Sequence, residues 1–307
     1  MAKIYDTVII GAGAAGLTAG IYASRANMYA VLLEKFAPGG QAALTAFVDN
    51  YPAFPDGITG FELMEKMRKQ SAGFGLEIKT TEVTSIKKTG NIFSIDTTSG
   101  EISAKTIIIC TGVRPQYLGV PGEKEFFGKG VSTCATCDGA FYHDMEVAVI
   151  GGGDSAMDEG IFLTRFASKV HIIHRRDKFR AIHSLVAKAE KNPKIQFHKD
   201  TIVLSINGRD SVESLTLKNV KTEEESTLPV SGVFLYVGLI PNSEMFGGLL
   251  KLNDRGFITV DSELSTSVPG IFAAGDVRDT PLRQIITAAS DGAIAAHSAG
   301  KYLETME

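Results

Sequence analysis

Cysteine is scarce in this chain of 307 residues: Cys110, Cys134 and Cys137 are too few for a disulfide scaffold. There is no excess of positive charge either, since 31 Lys and Arg stand against 35 Asp and Glu, for a net charge of −4. This argues against a general polyanion-binding surface, and so against a nucleic-acid partner, but leaves room for a local basic pocket. No apolar run approaches the ~18–20 residues of a membrane span. The opening MAKIYDTVIIGAG runs straight into strand-like residues, so no signal segment is expected. The expected compartment is the cytoplasm, where a close cysteine pair is catalytic or metal-binding rather than structural. Proline is sparse at 10 residues but glycine is abundant at 32, which without a short period means tight turns and close backbone approaches. Hydrophobic residues at 44% and charged ones at 21% describe an ordinary globular chain. Its length exceeds what one core supports, about 250–300 residues, so two domains are expected.

The order of elements along the chain points to a duplication. Residues 4–10 (IYDTVII) are a short β-branched strand, followed by a glycine turn, a helix from Ala14 to about Asn27, and a strand over Tyr29–Leu33 ending at Glu34. Helical spacing recurs from Phe61 to Ala72. Turn signals at Gly90-Asn91 and Ser99-Gly100 mark a small antiparallel meander, and Thr106–Cys110 returns as a strand. The middle of the chain repeats the plan: strand 146–150, glycine turn 151–156, helix Ser155–Phe166, strand Val170–Ile173, hairpin-like runs around Asn207-Gly208, and a return strand Val233–Val237. The two return strands lead into similar segments, Gly112-Val113-Arg114-Pro115 and Gly238-Leu239-Ile240-Pro241. Residues 242–307 have no glycine fingerprint. Their strand Gly270–Ala274 and the long helix from about Gln284 complete the first domain. The expected architecture is α/β, with two Rossmann-like three-layer domains. Residues 1–112 and 242–307 form one, residues 113–241 form the other, inserted into it, and each has a small antiparallel meander.

Gly11-Ala12-Gly13-Ala14-Ala15-Gly16 follows a strand and opens a helix. Its glycines serve in turn the tight turn, backbone approach to a pyrophosphate, and close helix–strand packing. Glu34 follows Gly11 by 23 residues, at the end of the next strand, where a carboxylate accepts hydrogen bonds from a ribose 2′-hydroxyl. The second fingerprint is Gly151-Gly152-Gly153-Asp154-Ser155-Ala156, and 23 residues beyond Gly151 stands His174, followed by Arg175, Arg176 and, further on, Arg180. A carboxylate repels a 2′-phosphate, whereas guanidinium groups bind it bidentately, so this site is read as one for NADPH. A solvated basic patch, or a nucleic-acid or localisation patch, is the plainer alternative for the same residues.

Cys134-Ala135-Thr136-Cys137 precedes Asp138-Gly139. A zinc site is not expected, because there is no second cysteine pair and no histidine at ligand spacing. The spacing suits a disulfide that opens and closes, with one thiolate activated by its surroundings. Asp138 is a candidate proton donor and acceptor, or simply a turn cap. Cys110, in an apolar strand, reads as an inert core residue.

Together CATCDG, GAGAAG with Glu34, GGGDSA with HRRDKFR, and AAGDV with RQIITAA make the chain resemble the low-molecular-weight thioredoxin reductases over nearly its whole length. The resemblance implies FAD in the first domain, NADPH in the second, a homodimer, and thioredoxin or a thioredoxin-like protein as partner. It also implies that Lys35, Gly39, Gly40, Gln41, Asn50 and Val83 lie along the FAD with Ala14 and Ala15 of the fingerprint. Thr111 and Gly112 would lie near its centre, Gly275 and Asp276 at the ribityl chain, and Arg283, Gln284 and Ile285 by the isoalloxazine. In the second domain it implies Gly151, Gly153, Asp154, Ser155, Ala156, His174, Arg175, Arg176 and Arg180 for NADPH. Cys137 would face the flavin, Cys134 would attack thioredoxin, and the second domain would rotate between two states. The chain departs from the family at Ser290, where glycine is frequent, and at Ala140, where an aromatic is frequent.

The function expected is transfer of hydride from NADPH to FAD, then reduction of the Cys134–Cys137 disulfide, then dithiol exchange with thioredoxin. A flavin oxidase and a redox-sensing binding protein are the two alternatives.

Overall fold

The computed structural model describes residues 4–45 and 47–306. They divide into two compact units, Met1–Arg114 with Ile240–Glu307, and Pro115–Leu239.

The first unit starts with β1 (Ile4–Ile10), α1 (Ala14–Arg25) and β2 (Ala30–Glu34), then α2 (Gly60–Gly73) and β3 (Glu77–Thr80). The meander follows as β4 (Val83–Thr89), β5 (Ile92–Thr97) and β6 (Gly100–Ile109). β1, β2, β3 and the second half of β6 are parallel, in the order β3-β2-β1-β6. The first half of β6 instead pairs antiparallel with β5, so one long strand belongs to both the parallel sheet and the meander. Alternation along the strands separates two cores. Ile9, Leu32 and Ile108 face α1, while Val8, Ile10, Val31, Leu33 and Ile107 face the meander residues Phe93 and Ile95 and also Phe246.

The chain leaves this unit through β7 (Val113–Pro115). The second unit contains β8 (Val131–Ser132), the single helical turn α3 (Ala135–Asp138), β9 (Glu146–Gly151), α4 (Asp154–Leu163) and β10 (Lys169–Ile173). α5 (His183–Glu190), β11 (Ile195–His198), β12 (Thr201–Gly208), β13 (Val212–Asn219), β14 (Glu225–Pro229) and β15 (Gly232–Tyr236) complete it. Five strands form a parallel sheet in the order β11-β10-β9-β15-β8, and β12-β13-β14 form an antiparallel sheet. Val147 and Val149 pack on α4, and Ala148 and Ile150 pack on the antiparallel sheet, which is the plan of the first unit again.

The return crossing, β16 (Leu239–Pro241), pairs with β7 in a two-stranded ribbon. The units therefore divide inside the ribbon, two residues within the bounds expected from sequence at each crossing. β17 (Ile271–Ala273) then adds to the second half of β6, and α6 (Ile285–Glu304) packs on α1. The close approach of α6 to α1 is made at Gly292, where a β-carbon would stand 2.1 Å from the Ala15 carbonyl oxygen. Ser290 is exposed and takes no part in it.

Candidate active site

The candidate residues of the first unit converge on the carboxyl ends of its parallel strands, where open α/β sheets place their ligands. The three fingerprint glycines separate by cause. Gly11 has φ +103°, and its β-carbon would lie 2.5 Å from the Cys110 carbonyl oxygen; that of Gly16 would lie 1.8 Å from the Gly11 carbonyl oxygen. Both are demanded by the protein's own backbone. Gly13 is not: its φ of −76° suits any residue, and a β-carbon there meets nothing within 4 Å. Gly13 also begins α1 without a side-chain cap, so the first N–H groups of a 12-residue helix are left for an outside acceptor.

Other segments close around this loop. Glu34, at the end of β2, accepts the Ala12 N–H at 2.7 Å and the Phe36 N–H at 3.0 Å. Gly39 donates to the Ala12 carbonyl at 2.8 Å, a β-carbon on Gly40 would sit 3.3 Å from Gly13 Cα, and Gln41 is exposed beyond them. Lys35 pairs with Glu82 at 2.7 Å, next to the buried Val83. At the end of β6, Thr111 is locked to Asn242 by bonds of 2.7 and 2.8 Å, and Gly112, at φ +64°, has open space in front of it. Gly275, after β17, donates to Asp291 at 3.0 Å and lies against Ala15. Asn50 donates to Gln284 at 3.0 Å, and Ile285 starts α6.

Two charged groups here are perturbed by burial. Burial pushes the Asp276 carboxyl up to about 6. Burial also lowers the pKa of the Arg283 guanidinium, which stacks 4.5 Å from the Phe257 ring. Arg283 Nε and Nη2 are buried and have no hydrogen-bond partner among the described residues. Such a group suits a polar, partly anionic ligand. Open glycines, uncapped N–H donors and this orphaned guanidinium fit a bound dinucleotide of the flavin type.

In the second unit the glycine loop and the cysteines both follow the carboxyl ends of strands of one parallel sheet. Gly151 ends β9, Tyr236 ends β15, and the cysteines follow β8. A β-carbon on Gly151 would collide with the Tyr236 carbonyl and Ala156, whereas Gly153 has φ −96° and open space, and caps α4 without a side-chain bond. Asp154 Oδ1 accepts the Ile182 N–H at 2.8 Å, and the Arg180 N–H reaches the Gly152 carbonyl at 2.6 Å, so the arginine segment folds onto the loop. Ser155, Arg175, Arg176 and Arg180 are exposed, and none of these three arginines has an ion-pair partner among the described residues. His174 differs from the expectation. Its ring is buried beneath Gly152, where a β-carbon would meet it at 2.3 Å, and Nε2 lies 3.1 Å from the Lys178 carbonyl oxygen. Burial holds its pKa below the usual histidine range. His174 supports the loop from below rather than standing with the arginines.

Cys134 and Cys137 are joined in a disulfide with Cα atoms 5.3 Å apart, both half-buried. Ser132 Oγ accepts the Cys134 N–H at 3.0 Å, Thr136 Oγ1 lies 3.4 Å from Cys134 Sγ, and Asp138 closes the turn through its N–H on the Cys134 carbonyl at 3.1 Å. Cys110 is buried in the core, and burial pushes its thiol up, as an inert residue requires. Sequence reasoning missed Glu159, whose carboxyl burial pushes up to about 7, and which lines a cavity of about 180 Å³ with Thr136. It also missed Tyr236, whose phenolic oxygen accepts the Ala135 N–H at 2.6 Å from 101 residues away. No local signal marks that pairing.

Two dinucleotide-type folds in one chain, one of them carrying a CxxC disulfide, define a nucleotide-dependent disulfide oxidoreductase. Residues 5–292 match the family described as pyridine nucleotide-disulphide oxidoreductase. The chain is 46% identical over 303 residues to a thioredoxin reductase of Treponema pallidum, covering 99% of this chain and 98% of that protein. It is 44% identical over 302 residues to a bifunctional thioredoxin reductase/thioredoxin of Mycobacterium leprae, covering 98% and 66%. The crystal structure of thioredoxin reductase from Streptococcus pyogenes aligns with a TM-score of 0.93 at 44% identity, covering 98% and 99%. The chain belongs to the thioredoxin reductases within that family. It is an oxidoreductase dependent on a flavin and a pyridine nucleotide. Among the described residues no helix is long and apolar enough to cross a membrane.

Proposed function

We propose that this chain reduces thioredoxin with electrons from NADPH, and that the first unit holds FAD, the second holds NADPH, and Cys134–Cys137 is the redox-active pair. The observation that carries this reading is the disulfide itself, at the carboxyl ends of the same parallel strands as an open glycine loop. We take the protein to act as a cytoplasmic homodimer.

In the first unit the N–H groups at the start of α1 bind the pyrophosphate, and Glu34 takes the adenosine ribose. Asp276 would hold the ribityl part of the FAD, and Thr111, Gly112 and the start of α6 would hold its ring system. Bound there, FAD supplies two-electron chemistry between a nicotinamide hydride and a disulfide. The Arg283 guanidinium, whose Nε and Nη2 have no hydrogen-bond partner among the described residues, favours negative charge beside it. In the second unit Gly153 and the start of α4 bind the NADPH pyrophosphate, while Arg175, Arg176 and Arg180 take the 2′-phosphate. Reduction of the disulfide leaves a dithiol. Asp138, next to Cys137, holds or returns the thiol proton. The Cys134 thiolate then attacks the thioredoxin disulfide, forming a mixed disulfide and releasing one thioredoxin thiolate. Cys137 displaces the second, which restores Cys134–Cys137 and leaves thioredoxin as the dithiol.

The test is NADPH oxidation by the purified flavin-loaded protein, with and without thioredoxin, read alongside the thioredoxin thiols formed. Thioredoxin-dependent turnover is expected in the wild type, with complete loss in Cys134→Ser and in Cys137→Ser. Both variants should still pass electrons from NADPH to a small artificial acceptor. Thioredoxin reduction by either serine variant, or NADPH oxidation indifferent to thioredoxin, overturns the reading.

A further inference from the structure

One hydrogen bond at the redox turn has no part in the steps above. Cys134 is extended, with φ −141° and ψ 100°, and the fully buried Ala135 opens the helical turn after it. The Ala135 N–H donates to the Tyr236 phenolic oxygen at 2.6 Å. The other bonds named at this turn, from Ser132 and Asp138, are local in sequence. The Tyr236 bond comes from a different strand. Tyr236 is also the residue paired with Gly151 across β15 and β9, so one side chain and its backbone touch both the redox turn and the glycine loop. Burial, then the neighbouring Glu159 charge, keep this phenol protonated far above the ordinary tyrosine range, so it remains a neutral acceptor at working pH.

We propose that Tyr236 is a positioning residue for the disulfide: by accepting the Ala135 N–H it stabilises the closed, oxidised form of the Cys134–Cys137 turn and so sets the balance between disulfide and dithiol. This rests on the reading of that pair as redox-active. Phenylalanine at 236 keeps the ring and removes the acceptor. The oxidised turn then retains a buried N–H with no partner, which carries its full desolvation cost. The dithiol turn, no longer tied through sulfur, can rotate that N–H to water or to a thiolate. Tyr236→Phe therefore makes the disulfide easier to reduce.

The experiment equilibrates full-length, flavin-loaded protein with graded thiol–disulfide buffers of glutathione or dithiothreitol, without NADPH or thioredoxin. Thiols are trapped by alkylation and counted by mass spectrometry. In Tyr236→Phe the dithiol-to-disulfide ratio at a fixed buffer should rise on the order of tenfold, about 30 mV for a two-electron couple. A second variant, Tyr236→Phe with Ala135→Pro, removes the donor as well. Proline is compatible with the extended Cys134 before it and with the first helical position. This pair of changes should return the ratio to the wild-type value. An unchanged ratio in Tyr236→Phe overturns the proposal, and so does a shift that the double variant fails to restore. Because no nucleotide or thioredoxin enters this measurement, its failure is distinguishable from loss of thioredoxin-dependent turnover in the wild type, which refutes the functional reading instead.

Discussion

Replacing Gly13 by alanine should separate the needs of the fold from those of the cofactor. Gly13 has φ −76° and ψ −172°, and a β-carbon there meets no protein atom within 4 Å. The flavin-free protein should accept the change within about 1 kcal/mol, the balance of a lost glycine cap and a stiffer unfolded chain. For a unit of this size that is at most about 2–4 °C in unfolding temperature. The methyl group nevertheless stands at the mouth of the loop, where a pyrophosphate would contact backbone N–H groups. Loss of one charge-assisted hydrogen bond weakens binding by roughly 1.5–3 kcal/mol, about ten- to a hundredfold. Gly16→Ala is the contrasting case. Its β-carbon would stand 1.8 Å from the Gly11 carbonyl oxygen, so backbone must move, at a cost of about 3 kcal/mol or more. Gly153→Ala repeats the Gly13 logic in the second unit: flavin content should be unchanged and the Michaelis constant for NADPH should rise about tenfold or more. The assays are flavin content by absorbance, flavin affinity by titration, and thermal unfolding with and without flavin. Wild-type flavin affinity in Gly13→Ala, or a flavin-free protein as unstable as Gly16→Ala, refutes the reasoning.

Arg175→Ala with Arg176→Ala should raise the Michaelis constant for NADPH by about ten- to a hundredfold for each guanidinium–phosphate bond removed and leave that for NADH nearly unchanged; steady-state kinetics with both nucleotides decides it, and equal losses would remove the 2′-phosphate assignment. Asp276→Asn should stabilise the flavin-free protein at pH 7 while weakening flavin binding. The folded-state pKa of about 6 lies above the ordinary 3.8, so the stability linked to this group is full below about pH 4 and is lost as pH rises through about 6. The gain from the amide above that range is on the order of 2–3 kcal/mol, and denaturant unfolding at pH 5 and pH 8 should show stability falling more steeply with pH in the wild type than in the variant.

Much of the local structure was legible because its causes are local. The short, apolar and β-branched runs in 4–10 and 146–150 suit strands buried on both faces, and the glycine turns with their following helices are set by neighbours only a few residues apart. The cysteine pair and the arginine cluster could likewise be read from spacing. The strand β11 and helix α5 escaped notice, since short elements carry too few residues to show a period. His174 was legible as a position but not as a role. Counting from Gly151 places it at the end of β10, yet only the packed structure turns its ring under Gly152.

Sequence alone determined which chemistry the chain carries: two dinucleotide turns, a carboxylate after one and guanidinium groups after the other, and one CxxC. These depend on residue type and on separations of a few tens of residues, which strand–turn–helix geometry converts directly into position. Tertiary structure decided what those groups touch. That Gly11 is obligatory beneath the Cys110 carbonyl, that Arg283 Nε and Nη2 are buried without a partner among the described residues, and that Tyr236 holds Ala135 all depend on segments brought together from distant parts of the chain. Such pairings join residues from about 100 to more than 200 positions apart, as in Tyr236 to Ala135 and Asn50 to Gln284. A single sequence carries no periodicity at that range, because the chain between two such residues is free to follow many paths until the core excludes all but one.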